Sequence, residues 1–370
     1  MNTENVLLKK SSLPFGAFPF NKLQIGDYLP SLDGAITTAK KRIDQIKATP
    51  GSANFENTIL ALETADEEVA HVAQIFFNML GTNTNPEMQQ LAKEFSPKMS
   101  NFSSDLLLDG ELFNRVKAVW NQRSALSLTG EDLMLTERKY KDFVRNGALL
   151  SATDKEKLRD IDQQLSKLSP EFSDNVLKAT NSFQYFVKDK TELNGLPAGT
   201  LQAYAEAAAE AGRAGEWLLT LHAPSYLPVM TYASNRALRE KLWRAYGARA
   251  YTENQPLIKK IVALRHERAQ LLGYATHAAF VLEERMAGTP TEVTQFIERL
   301  LEKVLPAARR DLSAVKALKK QVTSDDSFEP WDYNYWSEKL KVAQHDFDEA
   351  RIFRGLFREL DRVSRWLHRR

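Results

Sequence analysis

Apolar side chains recur along most of this chain at steps of three and four residues, and that period commits it to helix. Between Asp154 and Leu177 the apolar positions are Leu158, Ile161, Leu165, Leu168, Phe172 and Val176. Such spacing puts one side chain per turn on a single face. Similar stripes run through residues 28–47, 56–81, 87–107, 129–146, 256–285 and 291–320. Capping residues stand near several starts. Asn57-Thr58 opens one stripe, Thr153-Asp154 another, and Thr289-Pro290-Thr291-Glu292 a third, with Pro in the first turn. No repeat of fixed period is present, so a solenoid is not expected. With 370 residues there is ample length for a core, and the expected fold class is mainly α.

The exception lies at 182–222. Ser182 to Val187 is short and rich in aromatic and β-branched residues, and Trp217 to Leu221 is a second strand candidate. Between them lie Asn194-Gly195-Leu196-Pro197 and an Ala-rich helix around Leu201–Ala211. One short β pair inside a helical fold is therefore expected. Gln321–Pro330 reads as a loop. The expected division is an N-terminal helical region over 1–150, a second helical region containing the β pair over 151–348, and a divergent Arg-rich tail over 349–370.

Charge sets that tail apart. The formal net charge is +2, yet the last 20 residues carry seven Arg, no Lys, and only Glu359 and Asp361 in opposition. The tail is thus +5, and residues 1–350 sum to −3. A mildly acidic body argues against a nucleic-acid surface. As a helix, 351–370 would align Ile352, Leu356, Phe357, Leu360, Val363 and Leu367 opposite the Arg residues, the pattern of a membrane-surface or partner helix. The reading preferred here is a frame-shifted or accidental end. Cysteine is absent, which excludes disulfides, thiolate metal sites and cysteine nucleophiles. No signal peptide is visible and no apolar run approaches the ~20 residues of a membrane span, so a cytoplasmic protein is expected.

The chemistry-bearing motifs are sparse. His266-Glu267-Arg268-Ala269-Gln270 reads H-E-x-x-Q, one residue short of H-E-x-x-H, which seats two imidazoles on one zinc with glutamate as general base. Amide oxygen is a poor zinc ligand beside imidazole, and the reading preferred is an exposed charged face (Arg265, His266, Glu267, Arg268) above a stripe of Ile261, Leu264, Leu271 and Leu272. The other histidines (71, 222, 277, 345, 368) are scattered. His345 with Asp346 and Asp348 reads as a solvated cluster. The acidic pairs Glu67-Glu68, Glu283-Glu284 and Asp325-Asp326 point about 100° apart if helical, so they read as surface charge. Gly212-Arg213-Ala214-Gly215 lacks the spacing of a phosphate loop, and no serine sits in a nucleophile elbow. No catalytic, cofactor-binding or metal-binding residue is assigned.

A longer pattern carries more information. Pro224-Ser-Tyr-Leu-Pro-Val-Met-Thr-Tyr-Ala-Ser-Asn-Arg-Ala-Leu-Arg-Glu240 is followed by Trp243-Arg-Ala-Tyr246 and Arg249-Ala250. Around it stand Phe55-Glu-Asn-Thr-Ile59, the segment from Leu168 to Thr180, Leu196-Pro197, Leu264-Arg265, Leu271-Leu-Gly-Tyr274, and Pro330-Trp331-Asp332 with Tyr335 and Ser337-Glu-Lys339. In this order these segments resemble the thimet oligopeptidase family of zinc metallopeptidases, in its oligopeptidase A and peptidyl-dipeptidase branch, over roughly residues 12–348. The resemblance implies the N-terminal half of a helical fold whose two lobes flank a channel where short peptides are hydrolysed. It also implies that the zinc motif follows the segment at Trp331, and H-E-x-x-H occurs nowhere in the 370 residues. The expectation is a part of a zinc oligopeptidase without its catalytic half, inactive alone and without zinc of its own. Its partners would be short peptides in the intact family and the missing half. The alternative is a non-catalytic helical peptide- or partner-binding module.

Within the best-matching segment, Tyr226, Tyr232, Arg236, Arg239 and Tyr246 are the candidate residues. Two roles stay open for them. They could line a peptide channel, where arginine holds a carboxylate in a bidentate pair, or they could form a scaffold of packing and ion pairs.

Overall fold

A computed structural model describes residues 6–9 and 11–345. The expected Arg-rich tail, with Asp346, Asp348 and His368, lies outside the described residues. Among the described residues the chain is mainly α with one short two-stranded sheet. By contacts it divides into two units, Met1–Asp174 with Gln255–Gly288, and Asn175–Asn254 with Thr289–Arg370. Residue 150 therefore falls inside the first unit, shortly before α7.

In the first unit, α1 (Tyr28–Ala48), α2 (Ala61–Ala65), α3 (Glu67–Thr82), α4 (Pro86–Leu107), α5 (Gly110–Gln122) and α6 (Gly130–Arg145) share one core. Leu32 and Ala35 of α1 are fully buried, as is Val72 of α3. Phe76 and Phe95 stack at 4.0 Å, with Tyr28 edge-on to Phe76 at 5.1 Å. The stripe at 56–81 is not one helix. It opens as a π-helical turn, Phe55–Leu60, and breaks at Asp66 (φ −115°, ψ 15°) between α2 and α3. Its cap is Asn54 rather than Asn57-Thr58, because the Asn54 and Asn57 side chains accept each other's backbone N–H.

The next helix, α7 (Ala152–Ser182), is capped by Ser151, whose Oγ accepts the Asp154 N–H at 3.2 Å. Its Ile161, Leu165 and Leu168 pack with Leu257, Ile261, Leu264 and Leu271 of α11 (Tyr251–Leu271). The stripe at 256–285 is likewise interrupted. Gly273, at φ +86°, ends α11 in the left-handed region, and Thr276 caps a separate α12 (His277–Leu282).

The second unit holds the β pair. Strands β1 (Tyr185–Val187) and β2 (Trp217–Leu219) run antiparallel, with Phe186 opposite Leu218. Each strand is shorter than its sequence pattern suggested. The intervening α8 (Ala198–Glu210) packs on β2. Then come α9 (Ala223–Tyr232), α10 (Arg236–Gly247), α13 (Pro290–Thr323) and α14 (Pro330–His345). The expected cap of α13 is present, as Thr289 Oγ1 accepts the Glu292 N–H. The loop after it is shorter than the pattern suggested, since α13 continues to Thr323. Val229, Leu219 and Leu242 form the centre of this unit's core, and α14 packs against α9, α10 and α13.

Candidate functional site

All five candidate residues fall on α9 and α10 of the second unit. The corner between these helices is built by local capping. Ala233 leaves the helical region (φ −66°, ψ 124°), and Asn235 restarts it by accepting the Leu238 N–H at 3.2 Å. The turn at Asn194-Gly195 clamps this corner. Asn194 O accepts the Ser234 N–H at 2.8 Å and its hydroxyl at 2.9 Å. Gly195 sits at φ +94°, and a Cβ there would lie 2.3 Å from Tyr232 O. Tyr232 itself is half-buried against the unit's core.

Arg236 and Arg239, one turn apart on α10, converge on Asp332. Arg236 Nη2 lies 2.7 Å from Asp332 Oδ2 and its Nε 2.9 Å from Oδ1. Arg239 Nη2 lies 3.0 Å from Oδ1, its Nε donates to Trp331 O at 3.0 Å, and its Nη1 donates to Ala233 O at 2.7 Å. Asp332 also accepts the Glu329 N–H, closing the first turn of α14. Burial pushes the Asp332 carboxyl up. The hydrogen bonds from Arg236, the Glu329 N–H and Arg239 outweigh it and hold the carboxyl below the ordinary aspartate range. Both arginines are therefore engaged by an internal carboxylate.

The tyrosines form a second group. Tyr226 and Tyr246 stack at 4.3 Å, and the Arg249 guanidinium lies 3.6 Å from the Tyr246 ring centre. Arg249 also donates to Tyr246 O at 2.9 Å and to Thr180 Oγ1 at 3.2 Å. Through Arg249 this stack borders an open cleft of about 670 Å³ between the end of α7 and the α10–α11 turn. Lys178, Ser182, Arg249 and Glu253 supply its polar lining, while Phe183 and Leu221 supply apolar wall. Ala250, buried at the same turn, holds a left-handed φ of +51°. The five candidate residues do not line the cleft.

Sequence reasoning missed Asp332 as the centre of this arrangement. Its position three residues into α14 was legible as a capping signal, but its partners lie 93 and 96 residues away.

Zinc, implied by the resemblance, finds no fitting donor set here. Among the described residues no group of three or more His, Asp or Glu side chains converges. His266, Glu267 and Gln270 are exposed on α11, as expected of a charged face. Arg268 departs from that face. It turns inward and pairs with Asp162 at 2.6 Å. His277 is half-buried, and burial together with Arg265 and Arg268 keeps its pKa low. The acidic pairs are taken up by cations: Glu68 by Arg42, Glu283 by Arg145, Asp325 by Lys319 and Asp326 by Lys320. No helix among the described residues is long and apolar enough to cross a membrane.

Comparison with known proteins agrees with the segment pattern. A model of Peptidase family M3 matches residues 229–356. The dipeptidyl carboxypeptidase of Escherichia coli (strain K12) is 32% identical over 356 residues, covering 95% of this chain and 52% of that protein. Oligopeptidase A of Salmonella typhimurium is 30% identical, covering 97% of this chain and 55% of its own length. A probable cytosolic oligopeptidase A of Arabidopsis thaliana is 30% identical, at 95% and 51%. The chain spans about half the length of the curated relatives it matches. With the family model matched over residues 229–356 and 95–97% of this chain aligned to these relatives, the chain is similar to the peptidases of family M3 along nearly its whole length.

Proposed function

We propose that this polypeptide supplies scaffold and channel wall to a zinc-dependent oligopeptidase acting in the cytoplasm on short peptides, and that residues 1–370 alone do not hydrolyse them. The observation that carries this is the pairing of an almost complete match along the chain with the absence of H-E-x-x-H from its sequence. In zincins that motif supplies two ligands and the base that activates water. Nothing in the described donor geometry substitutes for it. The Arg236–Arg239–Asp332 cluster then acts as a rigid joint joining α10 to α14.

The test is direct. Purified 1–370, supplied with zinc, is assayed on internally quenched oligopeptides and analysed for bound metal. The expected result is no stoichiometric zinc and no turnover above the chelator-treated control. Zinc-dependent turnover that survives repurification would overturn the proposal.

The alternative is a non-catalytic binding module, supported by the cleft of about 670 Å³ with Lys178 and Arg249 in its wall. Short peptides binding to purified 1–370, and weakened by Lys178→Ala, would favour it.

A further inference from the structure

Helix α13 is 34 residues long, and half of it is bare. Every residue from Gln295 to Pro306 is exposed. Within that stretch Phe296, Ile297, Leu300, Leu301, Val304 and Leu305 keep between 40% and 56% of their surface in solvent. They recur in pairs every four residues, which places them on one helical face. The patch is on the order of 500 Å², in the range of the largest apolar patches on monomeric proteins, which are often functional.

The helix argues the same way as the patch. Isolated helical segments are marginal in water and draw their stability from packing an apolar face. This segment has the face without the packing, and it contains Pro306, which cannot donate to the helical hydrogen-bond ladder. The far end of α13 is different. There Val315 is buried, and the buried Lys319 ammonium bonds Asp325 at 2.6 Å. The helix is anchored at one end and presents its other end.

The relatives extend well beyond the stretch that matches this chain. This chain spans 52% of the E. coli dipeptidyl carboxypeptidase and 55% of the Salmonella oligopeptidase A, so nearly half of each has no counterpart in the match. We infer that the Phe296–Leu305 face of α13 is the docking surface for that unmatched half of an M3 peptidase. The inference rests on the function proposed above and adds the surface through which the two parts meet.

The test uses the whole chain. The portion of E. coli dipeptidyl carboxypeptidase outside the match is the probe, coexpressed with 1–370 carrying an affinity tag. The expected result is a 1:1 complex, weakened at least tenfold by Leu300→Asp with Val304→Asp. Met134→Asp, at an exposed site on α6 in the first unit, should leave it unchanged. Both substituted α13 residues are solvent-exposed, so the melting temperature of the double variant alone should match the parent's. Hydrogen exchange across 295–306 should be fast in 1–370 and slow in the complex.

Three results would overturn the inference. The probe binding the double variant as tightly as the parent would place the interface elsewhere while leaving the proposed function intact. A concentration-dependent dimer of 1–370 dissolved by the double variant would make a second copy the occupant. Slow exchange of 295–306 in monomeric 1–370 would mean the chain covers its own stripe. Failure of the proposed function is read separately, in turnover by 1–370 alone.

Discussion

Arg239 and Asp332 stand 93 residues apart in sequence, yet their side chains meet at 3.0 Å with 2% and 0% of their surface in solvent. Neither charge can find water if the other is removed. Burial lowers the Arg239 pKa, with a smaller push in the same direction from Arg236, and Asp332 is the main group that opposes it. Asp332→Ala should therefore cost about 3–5 kcal/mol, since it leaves an uncompensated buried guanidinium. Arg236→Ala should cost less, about 1 kcal/mol, because that side chain is 39% exposed and Asp332 keeps its second partner. Urea unfolding of the three proteins checks the order. Equal losses for the two variants would mean the buried pair is not the centre of the joint.

The same carboxylate predicts a pH dependence. Its folded pKa lies below the ordinary value, so its contribution is fully present above the unfolded aspartate pKa of about 3.9. That contribution is lost as pH falls through the lower folded value. Asp105 and Asp109, also depressed, titrate in the same window. The informative quantity is therefore the difference between the parent and Asp332→Asn. Thermal melts from pH 6 to pH 2 should converge as acid is added. A constant gap across that range would show that Asp332 does not titrate with folding.

Gly195→Ala should destabilise the second unit by about 2 kcal/mol or more. A left-handed φ costs an L-residue roughly 1 kcal/mol, and the new methyl would meet the Tyr232 carbonyl at 2.3 Å. That oxygen belongs to the end of α9 and cannot step aside without moving the corner that Asn194 holds. An unchanged melting temperature would show that the corner yields.

The helical class and the β pair were legible because both are local. Period three-to-four and period two are written in consecutive residues, and Tyr185–Val187 with Trp217–Leu219 needed only the correct pairing. Boundaries failed where a cap or break depends on one side chain. Ser151 and Asn54 are ordinary polar residues until their hydroxyl or amide oxygen meets an N–H three positions on. The role of Arg236 and Arg239 stayed open for a different reason. A guanidinium aimed at substrate and one paired with a carboxylate look identical in sequence, and the carboxylate these two pair with lies more than ninety residues away. The α13 stripe was visible as periodicity, but periodicity alone cannot say whether a face is covered.

One helix, α11, offers a contrast within three residues. In sequence His266 and Arg268 belong to one charged face, yet of the two only His266 is exposed. Arg268 donates to Asp162 of α7 at 2.6 Å and to Asn146 at 3.1 Å, and its side chain is 14% exposed. It therefore ties α11 to α7 and to the end of α6 within the first unit. Arg268→Ala should cost about 1–3 kcal/mol, the range for a charge-assisted hydrogen bond to a partly buried partner. His266→Ala, on solvent-facing surface, should stay within about 0.5 kcal/mol of the parent. Denaturant unfolding followed by tryptophan fluorescence reads both. A loss at His266 as large as that at Arg268 would mean that the imidazole holds something other than water, and the H-E-x-x-Q segment would return as a candidate site.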